Sequence, residues 1–402
     1  MASTLLLYGA AGYTGRLIAA EAARLGMSRS GAADFRMILA GRDPAAVSRA
    51  AAANDMDFRV FPLDDPAAMA AGLGGVDVVL NAAGPFADTA GRLARAALAA
   101  GCGYVDISGE YDVREALGDF AAAEGRTIVV VSGAGAFGAL AELMVRSALG
   151  ALLAGTAAVG LGAVRVSHSK DFDISRGGAA TLFRTLNEYV LVVGPPQPDI
   201  AANPCCAPPE AVEPMTLSFR PVGALERVVD FGALPVDGGA HTASGVTLVD
   251  TVTVRDALKR QGVVAKRIES YEAMGALGRA AYQLVANVPL FFALPPVRRA
   301  AQASLRCLPE GPGKETLDEG RHAIVLEIDD AYGAHLIDWR LGTPNVYRMT
   351  ARLAVAAAVG AAQRRAAGQV GWTTPAEALG LDLVAAVGSG VLAGCALDRR
   401  RG

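Results

Sequence analysis

The feature that most constrains the fold lies at the start of the chain, where an apolar strand runs into a glycine turn and then a helix. Residues 4–8 (TLLLY) are apolar, and residues 16–26 (RLIAAEAARLG) place apolar side chains at helical spacing before Gly26 ends the helix. The glycines between them permit a tight turn, close approach of a pyrophosphate to backbone N–H groups, and close packing of the helix on the sheet. This context predicts a dinucleotide site. Its predicted contacts are Gly9, Gly12, Tyr13, Thr14 and Gly15.

The end of the second predicted strand bears on the choice between NADP and NAD. Residues 35–40 (FRMILA) form this strand, and the first charged side chain beyond it is Arg42. A unit specific for NAD usually carries a carboxylate here for the ribose 2′-hydroxyl, whereas an arginine suits a 2′-phosphate. Arg42 therefore favours NADP, and Asp43 keeps NAD as the alternative.

Two aspartates follow the third predicted strand, residues 58–62. Asp65 precedes a proline, which is a typical helix start. Asp64 lies where the amino group of an adenine could be contacted, and helix capping explains it equally well. We retain Asp64 as a candidate cofactor contact.

Three further predicted strands end in small, polar or glycine residues. They cover residues 76–80, 104–107 and 127–131. The carboxyl ends of parallel strands meet at one edge of the sheet, and ligands of open α/β sheets bind there. Small residues after the fourth strand leave room for the phosphates and the nicotinamide ribose. The predicted cofactor contacts after this strand are Asn81, Ala82, Gly84 and Pro85.

Four stretches in the N-terminal third resemble a known family. The segments LLLYGAAGYTGRLIA, LAGRD, VVLNAAGPF and GYVDISGEYDV occur in this order between residues 4 and 112. They resemble the NADP-binding domain of the saccharopine dehydrogenase-like family, which includes saccharopine reductases and the trans-acting enoyl reductases of lipid biosynthesis. The resemblance resumes at residues 347–351, where a long alanine-rich helix begins, and implies that this helix returns to the first domain. Family members often carry an aspartate soon after the sixth strand, whereas this chain has its carboxylate further on, at Glu142.

Length and composition indicate two domains. A chain of 402 residues is too long for one typical core. The net charge of −3 gives no electrostatic reason to expect nucleic acid as a partner. We predict an α/β protein with an N-terminal Rossmann parallel sheet and a second α+β domain for substrate binding and dimerisation. The predicted boundaries are 1–140 for the Rossmann domain, 141–344 for the second domain and 345–402 for C-terminal helices that return to the first domain.

The middle of the chain predicts mixed structure. Ser175 is expected to cap a helix that extends to about Val193. Residues 228–248 suggest short antiparallel strands, and residues 323–328 and 335–341 predict a hairpin.

Several catalytic signatures are absent from the sequence. No lysine follows a tyrosine by four positions, as short-chain dehydrogenases require, and no Walker lysine follows the glycine turn. The four histidines lack zinc spacing, so no metal site is predicted. Hydride chemistry of a cofactor remains, with at most one proton supplied by the protein. The candidate proton donors are Glu110, His168 and Lys170, each with a structural alternative as a helix cap, a strand-end polar residue and an ion-pair partner, respectively.

Three functions remain open at this stage. The first is an NADP-dependent reductase of an activated C=C bond in an acyl or similar apolar substrate. The second is an amino-acid or imine oxidoreductase of the saccharopine type, and the third is a nucleotide-binding scaffold without catalysis. We expect a cytoplasmic homodimer that acts on a small molecule. Peripheral contact with a membrane or lipid is compatible with the apolar residues 289–294.

Overall fold

The computed structural model divides the chain into two compact units. Unit 1 comprises Met1–Ala139, Val346–Leu381 and Ser389–Leu392, and unit 2 comprises Leu140–Asn345, Asp382–Gly388 and Ala393–Gly402. The structure describes residues 2–153, 160–169, 175–179, 189–194, 215–232, 239–287, 296–297, 303–304, 307–380, 382–383, 387 and 391–401.

Unit 1 is built on a seven-stranded sheet in which all neighbouring strands are parallel. The predicted apolar runs form its strands because a parallel sheet covered on both faces buries nearly every side chain. The strands are β1 (Ser3–Tyr8), β2 (Phe35–Gly41), β3 (Asp57–Val60), β4 (Val78–Asn81), β5 (Gly103–Asp106), β6 (Val129–Val131) and β15 (Gly371–Trp372).

The strand order in this sheet is β15-β6-β5-β4-β1-β2-β3. Six of these strands follow the Rossmann order, and β15 adds a seventh beside β6. The order reverses between β1 and β4, which opens a crevice at their carboxyl ends. The predicted Rossmann sheet is therefore confirmed.

Helices cover both faces of the sheet and begin where the sequence supplies caps. Asp43 and Asp65 each accept a hydrogen bond from the backbone three residues on, at 3.0 Å, and each precedes a proline at the first helical position. These helices are α1 (Tyr13–Arg24), α2 (Pro44–Asn54), α3 (Pro66–Leu73), α4 (Phe86–Ala100) and α5 (Tyr111–Ala123). The next helix, α6 (Ala136–Leu153), begins in unit 1 and continues in unit 2.

The long C-terminal helix α10 (Val346–Ala366) belongs to unit 1. Its alanines pack in the same core as Leu5 and Leu7 of β1. Gly360 allows the short helix α11 (Pro375–Leu379) to approach closely, because a Cβ at Gly360 would lie 1.7 Å from the Ala378 carbonyl oxygen.

Unit 2 is built on a mixed nine-stranded sheet. Its elements include helices α7 (Asp250–Arg260), α8 (Ala276–Asn287) and α9 (Lys314–Glu319). The strands are β7 (Leu161–His168), β8 (Tyr189–Val193), β9 (Leu217–Pro221), β10 (Glu226–Asp230), β11 (Ala240–Gly245), β12 (Ala265–Ala273), β13 (Arg321–Asp330), β14 (His335–Pro344) and β16 (Ala396–Arg401).

The main path through this sheet is β10-β11-β12-β7-β13-β14-β16, and β8 pairs with both β12 and β9. Only β7 and β12 are parallel among these described pairs. The predicted second sheet domain is therefore present, and the predicted hairpin forms as β13 and β14. Because β16 pairs with β14, the chain returns to unit 2 at its end, a finer division than the predicted third segment 345–402.

Two local features differ from the sequence-based expectation or qualify it. The predicted helix from Ser175 does not reach Val193, because the β-branched run Tyr189–Val193 forms β8 and pairs with β9. Helix α6 is long and apolar enough by composition to cross a membrane, but 61% of it is buried inside the protein. A buried core helix passes the same test.

Candidate cofactor-binding site

The glycine turn between β1 and α1 is tightly closed by backbone contacts. Gly9 has a φ of +85°, and a Cβ there would lie 2.7 Å from the Ala83 backbone nitrogen. At Gly15 a Cβ would lie 2.2 Å from the Gly9 carbonyl oxygen, so this glycine seats the helix against the turn. Gly12 is different, because it is exposed and a Cβ there would approach only the Gly9 oxygen, at 3.3 Å. Two glycines thus close the turn, and Gly12 keeps its outer side open.

The N-terminus of α1 suits an anion. Gly12 is its N-cap, no side chain caps it, and its first turn contains no acidic residue. The helix dipole therefore presents partial positive charge at the turn. Tyr13 packs edge-to-face on Tyr347 of α10, with 5.3 Å between ring centroids, which fixes the first helical residue. Thr14 is half-buried beside it.

The end of β2 separates the roles of two neighbouring charged residues. Asp43 caps α2, so its carboxylate is engaged in the helix start. Arg42 is exposed, and both Arg42 and Asp64 act electrostatically on the Tyr8 hydroxyl. Burial raises the pKa of Tyr8, Arg42 lowers it and Asp64 raises it. Asp64 and Arg42 therefore lie at the same end of the crevice, and Asp65, rather than Asp64, caps α3.

Asn81 holds the loop that follows β4. Its side chain is fully buried; its amide donates to the Thr89 hydroxyl and the Tyr104 hydroxyl at 3.2 Å, and its oxygen accepts from the Ala83 backbone N–H at 3.0 Å. Ala82 and Gly84 are half-buried and exposed, respectively, and Pro85 ends the loop at the start of α4. The amide of Asn81 thus shapes the loop from beneath.

A buried carboxylate lies next to Asn81 at the end of β5. Asp106 accepts hydrogen bonds from the backbone N–H groups of Ser108 and Gly133 and from the hydroxyls of Ser132 and Tyr104, at 2.8–3.0 Å. Burial raises its pKa, against the opposite effect of these four donors. Asp106 therefore ties together the loops after β5 and β6.

Glu110 is occupied by a structural task. The side chain is fully buried, and its two oxygens accept from the backbone N–H groups of Phe86 and Ala87 at 3.1 and 3.2 Å. Glu110 thus caps α4, not the helix α5 that follows it. A carboxylate so engaged is poorly placed to deliver protons, which argues against the donor role predicted for it.

His168 lies in unit 2 within a group that we call the buried polar chain, formed by Asp250, His168, His322 and Ser169. The His168 Nδ1 is 3.0 Å from the His322 Nε2, and the His168 Nε2 is 3.4 Å from the Asp250 carboxylate. The Ser169 Oγ is 3.4 Å from the His322 Nδ1. Burial and the neighbouring His168 hold the pKa of His322 well below 6.5. Lys170, the third candidate donor, lies outside the described residues.

Residues 5–131 match the family model of the saccharopine dehydrogenase NADP binding domain. Unit 1 contains a domain of this family. The predicted resemblance to the NADP-binding domain of the saccharopine dehydrogenase-like family is therefore confirmed over these residues. No curated protein sequence matches the chain significantly.

Two solved structures share the fold over nearly the whole chain. Saccharopine dehydrogenase (L-Glu forming) from Saccharomyces cerevisiae is 12% identical, with a TM-score of 0.61 and complete coverage of both chains. Homospermidine synthase from Legionella pneumophila, solved with NAD, is also 12% identical, with a TM-score of 0.59 over 99% of this chain and 91% of that one. At this identity the likeness shows the fold alone.

Several residues that organise unit 1 and unit 2 could not be identified from the sequence. Asp106 stands within the family-like stretch GYVDISGEYDV, so the motif contained a signal that only the loop geometry explains. Asp250 and His322 carried no such signal, because they lie far along the chain from His168 and meet it only through pairing of β7 with β13 and packing of α7.

Proposed function

We propose that the protein is an NADP-dependent oxidoreductase that reduces an activated C=C bond in an acyl or similar apolar substrate. The preference for NADP rests on the different roles of the two charged residues that follow β2. Asp43 is engaged in capping α2, whereas the exposed Arg42 is the first charged side chain past the strand. An arginine can pair with a 2′-phosphate through two parallel N–H bonds, which a 2′-hydroxyl cannot reciprocate.

The residues of the NADP-binding domain fit such a cofactor. Backbone N–H groups at Tyr13 and Thr14 would hold the pyrophosphate, because the Gly12 N–H donates to the Gly9 oxygen within the turn. The loop supported by Asn81 would pass beneath the nicotinamide ribose. The cofactor, when bound, supplies a hydride. The chain's own task is to hold the substrate, exclude water and provide one proton.

Three described arginines of unit 2 support an apolar rather than a dicarboxylate substrate. Arg165 and Arg227 pair with Asp329 and Glu327 at 2.6 Å, and Arg340 pairs with Asp338 at 2.8 Å. Each is partly or fully buried in these pairs, so it is committed to the fold. A clamp for substrate carboxylates would need guanidinium groups turned toward the ligand.

An amino-acid or imine substrate is the second candidate. The family model supports it, because the matched domain is named for saccharopine dehydrogenase. Such a substrate would need arginines for its carboxylates. Of two arginines that the sequence places close together in unit 2, Arg176 donates to the Leu308 carbonyl oxygen at 2.7 Å, and Arg184 lies outside the described residues.

Contact with lipid would accompany an acyl substrate. Helix α8 exposes Leu277 and Leu284, with 88% and 64% of their surfaces accessible, seven residues apart and so on one helix face. The apolar residues 289–294 lie outside the described residues. Flotation with liposomes tests the contact: wild type should float with the vesicles, and the Leu277→Ser/Leu284→Ser variant should remain below.

The homodimer and the cytoplasmic location stay predictions.

Calorimetric titration with NADPH and NADH tests the cofactor assignment. We expect wild type to prefer NADPH, and Arg42→Ala to lose about 10- to 100-fold in NADPH affinity, because a charge-assisted hydrogen bond contributes about 1.5–3 kcal/mol. Arg36→Ala is the matched control, since Arg36 is exposed at the opposite end of β2. Equal affinity for both cofactors would remove Arg42 from the argument. If neither NADPH nor NADH binds, both oxidoreductase hypotheses are excluded, and a scaffold without catalysis remains.

Following NADPH oxidation then separates the two substrate classes. Enoyl thioesters should support turnover if the first proposal holds. Pairs of a keto acid and an amine, with no turnover of enoyl thioesters, would favour the amino-acid reductase.

A further inference from the structure

The start of helix α1 is contacted by a residue more than 300 positions further along the chain. Tyr13, the first residue of α1, packs against Tyr347 in the first turn of α10, with 5.3 Å between the ring centroids and 90° between the ring planes. Both tyrosines are half-buried, and both belong to unit 1. This is the edge-to-face geometry that aromatic pairs prefer. The first residue of α1 is therefore held by a side chain as well as by its own backbone.

The first turn of α10 is itself held in place. Thr350 lies three residues after Tyr347 and thus on the same face of the helix. Its hydroxyl oxygen accepts a hydrogen bond from the Ala136 backbone N–H at 3.1 Å, which ties α10 to the loop after β6. Further along α10, its alanines share one buried core with Ile18 and Ala22 of α1. The Tyr347 ring therefore meets α1 at a defined point within unit 1.

The Tyr13 residue that this contact holds lies in the part of the turn that would bind an anion. The Gly12 N–H donates within the turn, to the Gly9 oxygen at 3.0 Å, and the Arg16 N–H donates to the Gly12 oxygen at 2.9 Å. Between them, the N–H groups of Tyr13 and Thr14 belong to the first turn of the helix, which offers no intrahelical acceptor. The direction of the Tyr13 N–H therefore bears on how well a pyrophosphate fits this helix start.

We propose that Tyr347 is a positioning residue for the cofactor pyrophosphate and that it acts through Tyr13. The bonds from a Cα atom to its N and Cβ atoms meet at a nearly fixed angle. A Tyr13 ring held against Tyr347 therefore limits the rotation of the Tyr13 N–H. A donor that is already held in place loses less freedom when its ligand binds, which raises affinity. The inference rests on the proposed binding of NADPH and assigns part of the affinity to the C-terminal helix α10.

The role of Tyr347 concerns one part of the cofactor alone. Tyr13 opens α1, where the pyrophosphate would lie, whereas Arg42 follows β2, where the 2′-phosphate would lie. A ligand that carries the 2′-phosphate and lacks the pyrophosphate should therefore be insensitive to Tyr347. Adenosine 2′-monophosphate is such a ligand. A loss of fold in unit 1, by contrast, would weaken both ligands together.

Calorimetric titration with NADPH and with adenosine 2′-monophosphate tests this role. In Tyr347→Leu we expect NADPH affinity to fall about 3- to 10-fold, as for the loss of one aromatic pair, and the affinity for adenosine 2′-monophosphate to stay at the wild-type value. Tyr347→Phe keeps the ring and should bring NADPH affinity back. Gln363→Ala, at an exposed position further along α10, is the matched control and should change neither affinity.

A double-mutant cycle with Tyr13 separates positioning from a general structural role. Tyr13→Leu should cause the same selective loss of NADPH affinity, and Tyr13→Leu/Tyr347→Leu should lose little more than either single variant. Additive losses, equal weakening of both ligands, or unchanged NADPH affinity in Tyr347→Leu would each overturn the inference. If wild type prefers NADH, then NADH and adenosine replace the two ligands. Wild type that binds neither NADPH nor NADH would overturn the proposed function, and the inference with it.

Discussion

The glycine turn of unit 1 is built from residues close together in the sequence, whereas the buried polar chain of unit 2 is built from residues far apart. The turn draws its contacts from residues within a few positions of one another, and backbone geometry fixes them. The buried polar chain gathers side chains from two strands and a helix, with more than 150 positions between His168 and His322. A local site can be recognised as a motif of neighbouring residues, whereas a dispersed site is assembled only when the sheet forms.

The largest expected effect comes from closing the glycine turn. In Gly15→Ala the added Cβ would lie 2.2 Å from the Gly9 carbonyl oxygen, so α1 must move away from the turn. We expect NADPH affinity in calorimetry to fall at least about 1000-fold, or about 4 kcal/mol. Gly118→Ala is the control, because a Cβ there meets nothing within 4 Å. The control should gain about 0.5–1 kcal/mol from helix propensity. Unchanged NADPH affinity in Gly15→Ala would contradict the statement that backbone geometry fixes the glycine turn.

The next largest effect concerns Asp106 of unit 1, which, like the buried polar chain of unit 2, is a buried polar group with partners from separate elements. Asp106→Ala removes the acceptor of four buried donors, and we expect urea unfolding to show a loss of about 3 kcal/mol. Asp106→Asn keeps an oxygen for three of them and should lose less. Asp119→Asn, on the exposed side of α5, should stay within about 0.5 kcal/mol of wild type. Equal stability of the alanine and asparagine variants would contradict this account.

A smaller effect should appear in the acid response of unit 2. The folded pKa of His322 lies well below 6.5, so its neutral ring contributes stability above pH 6.5 that is lost as the pH falls through the lowered pKa. Its slope is at most about 1.4 kcal/mol per pH unit. Unfolding of His322→Gln should therefore depend less on pH below 6.5. His241→Gln, at a partly exposed histidine of β11, is the control. An identical slope in His322→Gln and wild type would exclude burial of a neutral ring.

The smallest effect involves an ion pair near the surface. Arg165 and His335 lower the pKa of Asp329 below 3.8, so its charge contributes stability above that value that is lost as the pH falls through the lowered pKa. Asp329→Asn should flatten the stability curve below about pH 4, by less than about 1 kcal/mol because the pair is partly solvated. Lys314→Gln, at a highly exposed pair in the same unit, should leave that region unchanged. A steeper acid limb in Asp329→Asn would contradict the sign.

How much could be predicted from sequence follows from this contrast. The strands and capped helices of the Rossmann sheet were predictable because apolar runs, Asp-Pro pairs and glycines act locally. The helix expected up to Val193 was wrong because a β-branched run found a partner strand far along the chain. Glu110 could be placed at a strand end but not given its partner, since Phe86 lies on another element. His322 offered no local pattern at all.

The cap that Glu110 places on α4 has a consequence for where anions can gather. Helices α1 and α4 follow the central strands β1 and β4 and begin at the carboxyl edge of the same sheet, and each carries partial positive charge at its start. Glu110 supplies a permanent internal counterion to α4, so an incoming phosphate would have to displace a buried carboxylate there. At α1 the first turn carries no acidic side chain. Of these two helices, α1 is therefore the one whose N-terminus can bind an anion, because the N–H groups at the start of α4 already donate to Glu110.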